Sequence, residues 1–344
     1  MIKLKIQNLG PINEEIELEL DKPVTLLVGE TGSGKSFILR LLALLLKYLP
    51  NPPAVEELER DFREEFGAPY YAITEGSDKD GIALSYNDET IAKVEIQKRK
   101  FSKQDSRTGE HLRIVTWEGG KEPIAEYARN SIIAPDERVP LTRQIIDGKY
   151  PSYLPSEKRY CEFLRNLRDK NDPTLEEALE PLFMEGLLPK ARSFFDRGII
   201  AGNNALTVSS TVISFLSLAP VISRLRDGRA LLAAVDTVEI HLTPLLQMAA
   251  TINLARLAKF CWKKAEEHPT PLLIVTHSSS VLAALAEEID RGIDDRIITV
   301  PSEYRLEKED VKEVVLYHEE GVIKCKAQEG IVSPQYLREY LRLL

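Results

Sequence analysis

The stretch Val24-Thr25-Leu26-Leu27-Val28-Gly29-Glu30-Thr31-Gly32-Ser33-Gly34-Lys35-Ser36-Phe37 decides how this sequence is read. Val24 to Val28 is apolar and β-branched, the signature of a buried strand. The residues from Gly29 to Ser36 then satisfy the phosphate-binding pattern GxxxxGK[ST] at every specified position. Glycines let backbone N–H groups turn toward phosphate oxygens, Lys35 sets a point charge beside the β and γ phosphates, and the Ser36 hydroxyl can ligate Mg²⁺. The Leu-rich run from Phe37 to Leu46 completes the strand, loop and helix that this chemistry needs. A chance glycine-rich turn would not require those flanks. Gly29, Glu30, Thr31, Gly32, Ser33, Gly34, Lys35, Ser36 and Phe37 are therefore expected to hold a nucleoside triphosphate, with Ser36 touching the metal.

With 344 residues, 43% apolar and 29% charged, the chain can bury a sizeable core in one large or two modest domains. The apolar run around Leu41 to Leu46 is too short to span a bilayer. Met1 to Gly10 lacks a signal-peptide pattern, so a cytoplasmic protein without a membrane partner is expected. Cys161, Cys261 and Cys325 stand far apart, which suggests neither a zinc site nor a disulfide framework. A net charge of −9 argues against coating nucleic acid with the whole surface and leaves room for a local basic strip.

Ile2, Leu4 and Ile6, and again Ile16, Leu18 and Leu20, alternate with polar residues around the turn Gly10-Pro11-Ile12-Asn13, predicting two paired strands. The phosphate-loop helix is expected over Lys35 to Tyr48, stopped by Pro50, Pro52 and Pro53, and an acidic, exposed helix over Val55 to Phe66. Tyr70 to Trp117 reads as short strands, Ser131 to Ala134 as another, and Ser156 to about Phe194 as helical. From Ala230 onward strands and helices alternate, ending in two strands (Val311 to Tyr317, Val322 to Ala327) and a short helix.

About two hundred residues beyond the loop, the apolar strand Ala230 to Val235 delivers Asp236 at its end. A carboxylate there would hold Mg²⁺ against the phosphates beside Ser36, although an Asp at a helix start is also a common cap. The strand Pro271 to Val275 ends in Thr276-His277-Ser278, where a histidine can face the γ-phosphate or the attacking water, or be merely structural.

With these residues in view, the chain resembles the ABC-type ATPases of the SMC, RecF and OLD kind. IKLKIQNLGP (Ile2 to Pro11) before the GETGSGKS loop resembles their first lobe, and SIIAPDER (Ser131 to Arg138) their strand plus Pro-x-Glu-Arg segment. VDTVEIHLTP (Val235 to Pro244) is similar to the Walker B block hhDEPExHLxP, VTHS (Val275 to Ser278) to the switch-histidine strand, and VSSTVISFLSLAP (Val208 to Pro220) to a weakened signature segment. The resemblance implies an α/β P-loop NTPase. Its ABC-ATPase head would have a β-rich lobe with Walker A at about 1–150, a helical signature lobe at 151–228 and a Walker B and switch-histidine lobe at 229–344. It also implies ATP and Mg²⁺, with Asp236 as the Walker B ligand and His277 as the switch histidine.

Two departures bear on activity. The family's general base is a glutamate after the Walker B acid; here that position is Thr237, a hydroxyl that cannot take a proton at neutral pH. Glu239 aligns with the family's second glutamate and either acts through a water or caps or salt-bridges the following helix. Thr211 replaces the signature glycine, leaving Ser209 and Ser210 as donors to a partner's γ-phosphate. The resemblance implies an ATP-sandwiched homodimer in which Gly29 to Ser36 of one chain faces Ser209 and Ser210 of the other.

The densest basic run, Gln97-Lys98-Arg99-Lys100-Phe101-Ser102-Lys103, reads either as a solvated hairpin face or as a DNA contact through Lys98, Arg99, Lys100 and Lys103. Gln97 and Gln144 are both candidates for the glutamine that reaches the γ-phosphate. Neither a Toprim domain nor a long heptad stretch accompanies the head, so a separate nuclease or toxin effector is expected. Three functions follow: a slow ATPase acting in DNA repair or defence against foreign DNA, a nucleotide-gated dimeric scaffold without turnover, and a transporter subunit. The last needs an LSGGQ-like signature, which Val208-Ser209-Ser210-Thr211 does not supply.

Overall fold

A computed structural model describes residues 1–67, 80–98, 112–119, 124–146, 149, 151–170, 210–265, 267–293, 300–320 and 322–330. Strands β1 (Ile2–Leu9) and β2 (Ile12–Leu20) form the expected hairpin, with Ile2 opposite Leu20 and Ile6 opposite Ile16. They join β4 (Asp80–Tyr86), β5 (Glu89–Lys98) and β6 (Leu112–Gly119) in an antiparallel sheet of order β2-β1-β4-β5-β6. Alternation puts Ile2, Leu4, Ile6, Ile16, Leu18 and Leu20 on one buried face, while Lys3 and Lys5 pair with Glu15, Glu17 and Glu19 on the other.

The second sheet has the order β11-β10-β3-β9-β8-β7. Its strands are β3 (Val24–Gly29), β7 (Ile132–Ala134), β8 (Ala233–Asp236), β9 (Leu272–Val275), β10 (Val311–Glu319) and β11 (Val322–Glu329). From β10 through β7 the neighbours run parallel; only β11 is antiparallel. Both faces are covered, which explains why β3, β8 and β9 read as continuous apolar runs. Val24, Leu26 and Val28 point into one core, and Leu27 into the other.

Helix α1 (Lys35–Tyr48) lies between the two sheets, which is why it is apolar nearly all round; α2 (Val55–Phe66) closes the same core through Leu58, Phe62 and Phe66. The acidic composition of α2 suggests an exposed helix, but only one face is exposed. Asp61 is buried where the Lys47 ammonium and the Tyr48 hydroxyl both donate to it.

The other face of the second sheet carries α4 (Arg138–Ile146), α5 (Lys158–Lys170), α6 (Ser210–Leu216), α7 (Ala219–Asp227), α8 (Pro244–Lys264) and α9 (Ser279–Asp290). A fully buried ion pair, Arg256 to Glu288 at 2.7 Å, ties α8 to α9. Helix α4 and α3 (Ile124–Asn130), of nine and seven residues, were not foreseeable from periodicity because each is only about two turns long.

Strand β8 begins three residues later than the apolar run suggests. The preceding backbone is paired elsewhere: Ala230 exchanges hydrogen bonds with the Thr270 hydroxyl, and Leu232 N–H donates to Ser131 Oγ. The expected helical continuation toward Phe194 and the short final helix lie outside the described residues. Among the described residues no helix is long and apolar enough to cross a membrane.

Candidate functional site

In a parallel sheet all strands end on one edge, and the loops leaving that edge form a crevice. Here β3 ends in the phosphate loop, β9 in Thr276-His277, β8 in Asp236-Thr237 and β7 in Pro135-Asp136-Glu137-Arg138. The register aligns them, with Leu27 opposite Val275, Val275 opposite Asp236, and Val235 opposite Ala134. Residues far apart in sequence therefore share one edge, with the histidine between the loop and the acid.

The loop is built for close approach. A Cβ on Gly29 would stand 2.3 Å from the Leu316 carbonyl oxygen, so only glycine lets β3 leave the sheet beside β10. Thr31 and Gly32 are exposed at the tip, while Ser33 and Lys35 are buried. Helix α1 starts from Gly34 in the left-handed region (φ 89°), which supplies no side chain to cap the first N–H groups. The Phe37 ring packs at a tilt against Phe66, 4.8 Å between centroids, and fills the space beneath Gly10, where a Cβ would meet it at 2.4 Å. Its side chain thus belongs to the packing under the loop.

Lys35 Nζ donates to the carbonyls of Gly29 (2.8 Å) and Glu30 (2.7 Å) and to Ser33 Oγ (3.2 Å). Burial lowers its pKa to about 8, against the opposing pull of Asp236, Glu30 and Glu239. Asp236 is buried, which raises its pKa, while side-chain hydrogen bonds from Ser36 and Thr237 work the other way. The fold thus brings Ser36 to the Asp236 carboxyl across the sheet edge. His277 is exposed at the end of β9, and its pKa is lowered by partial desolvation and by Lys35, so its imidazole is neutral at pH 7.

Thr237 donates its hydroxyl to Asp236 Oδ1 at 3.1 Å, and its backbone sits at φ 54°. That region is unfavourable for a β-branched residue. Glu239 accepts from Thr276 Oγ1 on both carboxylate oxygens (2.9 and 3.0 Å) and from the His277 N–H (2.9 Å), joining the turn after β8 to the end of β9. In the sequence Arg138 is marked only as the last residue of the SIIAPDER segment. In the structure its guanidinium is fully buried and donates to backbone carbonyls of Asp236, Thr237 and Val238. Beside it Glu137, paired with Arg40 at 3.1 Å, has its pKa raised to about 8 by partial burial and by the neighbouring Asp136 carboxyl.

Gln144 is exposed on α4. Ser210 and Thr211 open α6, whereas Ser209 lies outside the described residues, as do Arg99, Lys100 and Lys103. Lys98 and Gln97 end strand β5, paired with Leu112 and Arg113.

The AAA domain family profile matches residues 3–186, more than half of the chain and all of the phosphate loop. The chain belongs to the AAA domain family. Its mixed α/β architecture, with the phosphate loop leaving a largely parallel sheet, agrees with that assignment. It is similar to an SMC head bound to the C-winged helix domain of ScpA (16% identity, 95% of this chain and 97% of that chain, TM-score 0.48). It is also similar to the SMC head domain from Thermotoga maritima (12% identity, 95% and 98%, TM-score 0.44). A third likeness is to a nucleotide-free ATP-binding cassette from an ABC transporter (13% identity, 98% and 96%, TM-score 0.46). No curated protein matches this AAA-domain chain.

Proposed function

We propose that this AAA-domain protein binds ATP with Mg²⁺ and hydrolyses it slowly, closing an ATP-sandwiched homodimer in DNA repair or in defence against foreign DNA through a separate effector. One observation carries the reading: the sheet brings Ser36 and Asp236, 200 residues apart, close enough for the hydroxyl to lower the carboxyl's pKa, beside the uncapped start of α1 and the Lys35 ammonium. An oxygen-only pair suits Mg²⁺, which takes one or two protein oxygens and completes its shell with phosphate and water. The helix start and lysine suit the phosphates themselves.

In this reading, Lys35 exchanges its loop carbonyls for phosphate oxygens, and Ser36 and Asp236 hold the metal. Bound Mg²⁺-ATP supplies the phosphoanhydride and the neutralising charge. His277, neutral at pH 7, orients the γ end by hydrogen bonding. Ser209 and Ser210 are proposed to reach the ATP of the second chain, and Lys98, Arg99, Lys100 and Lys103 to meet DNA. The three lobes, at about 1–150, 151–228 and 229–344, are proposed as parts of a single head in the cytoplasm.

A second reading, a nucleotide-gated dimeric scaffold without turnover, is favoured by the turn after β8. Thr237 offers no base, and both oxygens of Glu239 are already engaged. Phosphate release measured with and without DNA separates the two. DNA-stimulated release that vanishes in Lys35→Ala supports the first reading. Tight ATP binding with no release under either condition supports the scaffold.

A further inference from the structure

Helix α4 begins with Arg138, after a three-residue turn from the end of β7, and its guanidinium is completely buried. Every hydrogen bond it makes among the described residues ends on a backbone carbonyl. Nη1 donates to Asp236 and, at 3.4 Å, to Pro135; Nη2 donates to Thr237 at 2.8 Å and to Val238 at 3.3 Å. Three of these carbonyls are consecutive and lie 98 to 100 residues along the chain. They converge because Thr237 adopts the left-handed conformation, which folds the backbone after β8 around the guanidinium.

Burying a guanidinium without a carboxylate partner is costly, and an apolar side chain would fill the same volume without that cost. What the apolar side chain cannot do is donate to three consecutive carbonyls. The planar, five-donor fork of arginine spreads its donors over two nitrogens, here Nη1 on Asp236 and Nη2 on Thr237 and Val238, whereas a lysine ammonium gathers its three on one nitrogen. The turn so held begins at Asp236, whose side chain meets Ser36 and the Thr237 hydroxyl. Remove the fork and the carbonyls of Asp236, Thr237 and Val238 lose a buried donor, Thr237 is free to leave its unfavourable conformation, and the carboxylate moves with it.

We propose that Arg138 is the positioning residue of the metal site: by clamping the carbonyls of Asp236, Thr237 and Val238, it fixes the Asp236 carboxylate where Mg²⁺-nucleotide requires it. The inference rests on reading Ser36 and Asp236 as the Mg²⁺ ligands. It concerns no group that touches the nucleotide, and it assigns the Pro135-to-Arg138 segment a task that neither local sequence nor a ligand contact reveals.

The test compares the affinity for a fluorescent ATP analogue in excess Mg²⁺ with that in EDTA, for the wild-type chain, Arg138→Met, Arg138→Lys and Lys35→Ala, each checked for cooperative thermal unfolding. The wild type is expected to bind more tightly with Mg²⁺. Arg138→Met is expected to lose roughly 10-fold of the Mg²⁺-dependent gain, the size typical of residues that orient metal ligands, while its affinity in EDTA stays within about twofold. Arg138→Lys is expected to lie between. A folded Arg138→Met or Arg138→Lys protein with the full wild-type gain overturns the proposal. If Arg138→Met does not fold, the lysine variant alone decides by the same criterion. A wild type that binds no nucleotide, or a Lys35→Ala variant that binds as tightly as wild type, overturns the nucleotide reading itself and the inference with it.

Discussion

The phosphate loop and the turn after β8 face each other across one sheet edge, yet they are built in opposite ways. The loop is local: its carbonyls, its lysine and Ser33 satisfy one another within seven residues, from Gly29 to Lys35. The turn is assembled at long range, by Arg138 from one side and by Thr276 and the His277 N–H from the other. The loop uses glycines where the backbone turns left-handed, whereas the turn forces Thr237 into that region. A contiguous device can be specified by eight residues, but a turn held from outside depends on partners spread over about 140 residues, from Arg138 to His277.

The sharpest way to break this contrast is to give the turn what it lacks. Thr237→Glu restores a carboxylate next to Asp236, and phosphate release is expected to rise by roughly 10² to 10⁴-fold, the usual contribution of a positioned general base. Unchanged release, measured with a phosphate sensor at saturating ATP, would show that another residue already serves. On the loop side, Lys35→Ala removes a charge-assisted contact and is expected to weaken ATP binding roughly 10 to 100-fold by calorimetry.

Stability probes the turn more finely. Glu239→Ala strands the buried Thr276 hydroxyl, leaves the exposed His277 N–H to water, and is expected to cost about 1–3 kcal/mol in urea unfolding. Thr237→Gly relieves the left-handed strain and is expected to gain about 1 kcal/mol, less the hydroxyl bond to Asp236. Opposite signs at neighbouring positions would confirm that the turn is held in place from outside; two losses would contradict it.

The pH dependence is the smallest effect. Lys35 has a pKa of about 8 when folded, against 10.5 ordinarily, so between those values the unfolded chain binds more protons and stability rises with pH. Over the same interval ATP affinity is expected to fall as the ammonium is lost. Glu137 behaves in reverse: with a pKa raised from 4.5 to about 8, it makes stability fall as pH rises through that window. Glu137→Gln should flatten the profile there, and Lys35→Met should flatten it above pH 8.

The fold and the loop were largely legible because their determinants are periodic or contiguous. The run from Val24 to Ser36 predicts strand, loop and helix, and α1 follows with the expected bounds, Lys35–Tyr48. Asp236 and His277 were locatable as the ends of apolar strands. The roles of Arg138 and Glu239 were not, because nothing near an arginine shows that its partners are carbonyls about a hundred residues away. Nor could composition show that Asp61, in an acidic helix, is buried beneath Lys47 and Tyr48.

The most direct test of the proposed function is solution mass and phosphate release followed together, with Mg²⁺-ATP, with ADP, and with Lys35→Ala as control. The account predicts a doubling of mass with ATP alone, absent in the variant, and slow release as the doubled species decays. A mass that does not change with ATP while nucleotide is bound would contradict the sandwiched dimer.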